Sequence, residues 1–243
     1  MKTSRRNFVK CSALLGSSLG SGVRLGFSSQ GNSRQPVATR RPETVNALRI
    51  LILGGTGFIG PYQVRYAVAR GHKVTVFNRG KHQADLPDSV EHLQGDRNDN
   101  LESLKGREWD VVIDNPTTLP KWVRDSGSLL KGAARQYVLI STISVYADFS
   151  HQGMDESSTL LKYQGKDAMA EKEVTPELYG PLKALSEQEA EKWFPGKTTI
   201  IRPGLIVGPG DTSDRFTYWP VRIDRGGEIL APGTLSVPDI VRK

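Results

Sequence analysis

The sequence contains a single cysteine, Cys11. No disulfide can therefore form within the body of the chain, and a cysteine nucleophile or a zinc–thiolate site is excluded there as well. Histidine is scarce too. His72, His82, His92 and His151 show no ligand spacing, so no metal site is expected. Long apolar runs are missing. The stretch from Cys11 to Phe27, CSALLGSSLGSGVRLGF, is diluted by Gly and Ser and broken by Arg24. It is too short and too polar to span a bilayer stably. Excess positive charge is also missing from the body. The formal charge is +7, but residues 1–47 hold eight Lys/Arg against the lone acid Glu43, which leaves 25 basic and 25 acidic residues in 48–243. That neutrality speaks against a nucleic-acid partner, although a local basic groove is compatible with it.

The chain opens on SRRNFVK, Ser4 to Lys10. An Arg-Arg pair preceded by Ser and followed by Phe-Val-Lys, ahead of a modestly apolar stretch, resembles a twin-arginine export signal, which moves proteins already folded. The resemblance implies a periplasmic or extracellular destination. The stretch 28–47 is polar and aperiodic and reads as a disordered linker. Residues 1–47 are thus expected to be leader and linker. The alternative is a basic disordered N-terminus with no export role, in a protein that stays in the cytoplasm.

From Leu48 the texture changes to LRILILGGTGFIGPYQVRYAVARGHKVTVFNRGK. Ile50 to Leu53 is wholly apolar, as expected of a central parallel strand buried on both faces. Gly54, Gly55, Gly57 and Gly60 follow at once, then a helix with Pro61 in its first turn and Gly71 at its end, then the strand KVTVFN. Such glycines allow a sharp turn, close approach of backbone to a pyrophosphate, and tight helix–strand packing. Free N–H groups at the helix start then face the phosphate charge. Between a strand and a helix the motif is a strong signal for dinucleotide binding.

The second strand ends in Asn78 and Arg79, where NAD-binding chains commonly carry an acid for the ribose hydroxyls. A guanidinium can pair with a 2′-phosphate in bidentate fashion, so the pattern favours NADP over NAD. Arg79 is equally compatible with an ordinary surface arginine. Further strands are expected at VEHLQGD, ending at Asp96, and at WDVVIDN, RQYVLIST and KTTIIRPG. Helices are expected at KWVRDSGSLLKGA and PLKALSEQEAEKWF. The alternation predicts an α/β fold with a doubly wound parallel sheet, a Rossmann domain over 48–205.

Tyr179 and Lys183 are four residues apart and share one face of a helix. A tyrosine with an ordinary pKa of about 10 is a poor base at neutral pH, and lowering it by about three units takes roughly 4 kcal/mol. A nearby lysine ammonium and a cationic nicotinamide can supply this in a low-dielectric cleft. The hydroxyl of Thr142, at the mouth of the fifth strand, can hold the substrate oxygen.

Together, GGTGFIG, GDR, STISVY, YGPLK and RPGLIVGPGD resemble the short-chain dehydrogenase/reductase superfamily, in its extended NAD-dependent epimerase/dehydratase branch. The resemblance runs from about Leu48 to the end of the chain. It implies that Gly54, Gly57, Phe58, Ile59 and Gly60 form the pyrophosphate loop and that Asp96 with Arg97 borders the adenine. It gives Thr142, Tyr179 and Lys183 the catalytic trio, with Lys183 also on the nicotinamide ribose, and sets Pro203 beside the nicotinamide. Residues 206–243 are expected to begin a substrate-binding region, shortened relative to the family, in which Arg215 is either an anion contact or part of a structural salt bridge. The implied substrate is a small molecule, a sugar or nucleotide sugar, with hydride passing between its hydroxyl or keto carbon and the cofactor. A homodimer is compatible with this reading. Chloroplast stem-loop-binding proteins, RNA-binding relatives of the same branch, have a similar glycine loop and a strand ending in RGK. A non-catalytic dinucleotide- or RNA-binding protein and an inactive fragment are therefore the alternatives.

Overall fold

The computed structural model describes residues 46–150 and 152–229. The expected leader and most of its linker lie outside them. Among the described residues the strands and α-helices follow in the order β1 (Arg49–Leu53), α1 (Gly60–Ala69), β2 (Lys73–Asn78), β3 (Glu91–Gln94), β4 (Trp109–Asp114), α2 (Pro120–Leu130), β5 (Ala134–Ile140), α3 (Pro176–Trp193), β6 (Thr198–Ile201) and α4 (Tyr218–Asp224), with no α-helix between β2 and β4. The strands form one sheet in the order β3-β2-β1-β4-β5-β6, with every neighbouring pair parallel. This is the doubly wound Rossmann order.

The period-two alternation of β1 builds both halves of the core. Leu51 and Leu53 face one side, packing with Val112, Tyr137 and Leu139 against Val123 and Leu130 of α2 and Ala190 of α3. Ile50 and Ile52 face the other, with Val74 and Val76 against Val64 and Ala67 of α1. Burying each such aliphatic side chain is worth about 1.5–3 kcal/mol. A stacked Tyr137–Phe194 pair, ring centroids 4.4 Å apart, fastens the far end of α3 to β5.

Several boundaries differ from the sequence reading, three of them near the site. β3 stops at Gln94, and Asp96 instead forms an isolated antiparallel bridge with Asn100. β6 stops at Ile201, just before Arg202 and Pro203. Helix α3 begins at Pro176 rather than Pro181, because Thr175 caps it by accepting the Leu178 N–H and Pro176 occupies the first turn. Pro181 then sits buried inside the helix. It lacks an N–H, so the Glu177 carbonyl loses its usual helical donor. The expectation missed this because proline ordinarily marks a helix start. In the region from residue 206, α4 has no buried residue. Among the described residues, no helix is long and apolar enough to cross a membrane.

Candidate active site

The C-terminal ends of β1 and β4 meet where the strand order reverses, the place where open α/β sheets bind ligands, and β5 lies next to β4. The glycine loop follows β1. Gly55 has φ +77°, and a Cβ on Gly60 would stand 2.4 Å from the Gly55 carbonyl carbon, so loop and helix close on each other only without side chains. At Gly57 the opposite holds: a Cβ would meet nothing within 4 Å. The backbone there faces open space beside the start of α1, which Ile59 precedes without any side-chain cap. The uncapped N–H groups suit an anion. Phe58 of this loop is 37% exposed.

On the β2 side lies a cavity of about 200 Å³ lined by Gly54, Asn78, Arg79, Asp96, Arg97 and Trp122, among others. The Asn78 amide holds the turn, accepting the Gly80 N–H at 2.8 Å and donating to the Gly54 carbonyl at 3.5 Å. The Asp96 carboxylate accepts the backbone and side-chain N–H groups of Asn98, both at 2.9 Å. Arg97 borders the cavity but commits its guanidinium inward. Nη1 donates to Asp114 Oδ1 at 2.5 Å, and Nη2 donates to Asp114 Oδ2 at 2.9 Å and to Ser126 Oγ at 3.2 Å. Burial opposes the Arg97 charge, and the Asp114 carboxylate outweighs it, so the guanidinium pKa rises. The Tyr137 hydroxyl also donates to Asp114, and burial with that negative charge pushes the phenol well above its ordinary range.

A second cavity, of about 420 Å³, is lined by Phe58, Thr142, Ser144, Tyr179, Pro203 and Arg215, among others. Thr142 caps a single 3-10 turn, Ile143–Val145, by accepting the Ser144 N–H at 3.1 Å. The Ile143 N–H in turn donates to the Pro203 carbonyl at 3.0 Å, which seats Pro203 beside Thr142. Arg215 donates to Ser213 Oγ at 2.7 Å. Lys183, one helical turn beyond Tyr179, is buried, and its ammonium donates to Thr117 Oγ1 at 2.5 Å and to the Ile140 carbonyl at 2.6 Å. Burial lowers its pKa to about 8, with the charges of Asp114 and Glu187 opposing the shift.

Sequence reasoning missed several residues that hold this arrangement. Arg202 donates to both Glu187 oxygens, at 3.0 and 2.7 Å, and to the Tyr146 hydroxyl at 3.0 Å. Buried Glu187 also accepts the Ser141 hydroxyl. These contacts join β5, β6 and α3. The glycine at 180 and Thr117 belong to the same hidden set, since nothing in their local sequence announces their partners.

Residues 50–115 match the family model of the NAD dependent epimerase/dehydratase family. The chain is 30% identical over 193 residues to the chloroplast stem-loop binding protein of 41 kDa b from Arabidopsis thaliana, covering 67% of this chain and 50% of that protein. It is 29% identical over 181 residues to 2-alkyl-3-oxoalkanoate reductase of Stenotrophomonas maltophilia, covering 68% and 52%. It thus spans about half the length of the curated relatives it matches. Among solved structures it is similar in fold to UDP-galactose 4-epimerase, with a TM-score of 0.55, 22% identity, and coverage of 75% of this chain and 64% of that one.

Proposed function

We propose that this chain binds a nicotinamide dinucleotide and serves an epimerase/dehydratase- or reductase-type reaction, with Tyr179 as acid/base. The substrate class is a sugar or nucleotide sugar, taken from the family resemblance. The observation that carries the reading is that Tyr179, Thr142 and Pro203 line one cavity together with Phe58 of the glycine loop. The match of residues 50–115 to an NAD dependent family supports it.

The residues present fit the cofactor. The open space at Gly57 and the uncapped start of α1 suit a pyrophosphate. The cavity bordered by Asn78, Arg79 and Asp96 suits the adenosine end. When bound, the nicotinamide supplies hydride acceptance and return. Against it, the Thr142 hydroxyl orients the substrate oxygen, and Tyr179 takes the hydroxyl proton as the carbon is oxidised and gives it back on reduction.

The test is parallel fluorescence titration of the full chain with NADPH and NADH, followed by Tyr179→Phe. Saturable binding that survives the substitution, together with lost turnover, is the expected result. Turnover unchanged in Tyr179→Phe would remove the proposed base. The likeness to a stem-loop binding protein favours a second reading, a non-catalytic RNA binder. Salt-sensitive retention of an RNA stem-loop, with no dinucleotide binding, would replace the first reading by the second.

A further inference from the structure

The turn after β4, Asn115-Pro116-Thr117, touches both halves of the site. Asn115 exchanges two amide hydrogen bonds with Gln63 of α1, at 3.1 and 2.8 Å. Pro116 borders the cavity beside Gly54. Thr117, with no exposed surface, reaches the other way, toward α3. Its hydroxyl donates its one proton to the Ile140 carbonyl at 2.6 Å, so toward Lys183 Nζ, 2.5 Å away, it can act only as an acceptor. Lys183 Nζ also donates to the Ile140 carbonyl.

We propose that Thr117 is a positioning residue for Lys183: with the Ile140 carbonyl it forms a two-acceptor socket that fixes the ammonium. The proposal rests on the reading above only in that Lys183 is assigned to the same site as Tyr179. An ammonium has three donors and no acceptor, whereas the neutral amine keeps two protons. The socket therefore stays satisfied in both charge states, and the proton that comes and goes is the one outside it. Without the hydroxyl, the buried amine would lose an acceptor that its charged form needs more than its neutral form does.

The charges acting on Lys183 come from neighbouring elements. Asp114 of β4 is itself held by Arg97 and Tyr137, and Glu187 of α3 by Arg202 and Ser141. None of these contacts involves Thr117, so removing its hydroxyl leaves both carboxylates in place.

The experiment is an NMR pH titration of the full chain labelled with 13Cε-lysine, with the Lys183 resonance assigned by its loss in Lys183→Met. Thr117→Val, which keeps the shape and removes the hydroxyl, is expected to lower the Lys183 midpoint by about one pH unit. Thr117→Ser is expected to restore it. A purely structural threonine would leave the midpoint unmoved in Thr117→Val, and that result overturns the proposal, as does a shift that serine fails to rescue. If Thr117→Val does not fold, Thr117→Ala is compared with Thr117→Ser by the same criterion. Dinucleotide titration of the unaltered chain separates the two readings. Absent binding sinks the proposed function and leaves the socket standing, whereas an unmoved midpoint with intact binding sinks only the socket.

Discussion

Gly180 lies against Ser144 so closely that a Cβ added to it would stand 2.3 Å from the Ser144 carbonyl oxygen. The glycine next to Tyr179 is thus what lets α3 come down onto the turn that Thr142 caps. The neighbouring atom is backbone and cannot swing aside.

Gly180→Ala should therefore push α3 away from the turn despite the better helix propensity of alanine. Overpacking of this kind costs about 1–3 kcal/mol, against a propensity gain of about 1 kcal/mol. The expected outcome is a lower denaturation midpoint in urea together with a loss of turnover larger than the loss of dinucleotide affinity. An unchanged midpoint with full turnover would show that the helix reaches its place without this contact.

Lys183 should cost stability near neutral pH. Its pKa in the folded chain is about 8, below the ordinary 10.5. Between those values the unfolded chain binds more protons, so the linkage makes stability rise with pH across that window. At about 1.4 kcal/mol per pH unit, the burden below pH 8 is about 3 kcal/mol. Lys183→Met is expected to be more stable than the parent at pH 7 and to lose most of that advantage by pH 10 to 11. Thermal melts of both proteins across pH 6–11 test this, and an advantage that does not shrink with pH would refute it.

Asp114 should be one of the least replaceable side chains in the sheet. It has no exposed surface and receives both terminal nitrogens of Arg97 and the Tyr137 hydroxyl. Asp114→Ala strands a buried guanidinium, at a cost of about 3–5 kcal/mol. Urea unfolding should show that loss, with a smaller loss in the double substitution Asp114→Ala with Arg97→Met. Equal losses in the two would mean that the stranded charge is not the cause.

Arg79 tests cofactor choice. It borders the cavity formed at the end of β2, where Asn78 stands in place of an acid. If it pairs with a 2′-phosphate, Arg79→Ala should weaken NADPH by about tenfold and spare NADH, as expected for the loss of a charge-assisted contact. Equal weakening of both, or of neither, would assign Arg79 to the surface.

Much of the frame was legible because it is local. The apolar run of β1, the glycines after it and the helix behind them lie within about thirty residues, and short-range sterics dictate each step. The placing of Tyr179 and Lys183 one turn apart on one helix was legible for the same reason. Arg97 shows the limit. The resemblance sets it with Asp96 at the adenine, and both border the cavity beside β2, but nothing local shows that its guanidinium turns inward to the carboxylate at the end of β4. The start of α3 was misplaced because a buried Pro181 is tolerated there by packing that no local pattern reveals.

The sequence by itself determined the order of the strands and helices, the glycine cradle and the residue types available for proton transfer, since these follow from periodicity and from conformational freedom. The tertiary structure alone decided which groups meet. Thr117 reaches Lys183 across 66 residues and Ser141 reaches Glu187 across 46. Contacts of that span form only when the sheet brings the ends of its strands together and burial removes the water that would otherwise satisfy each group.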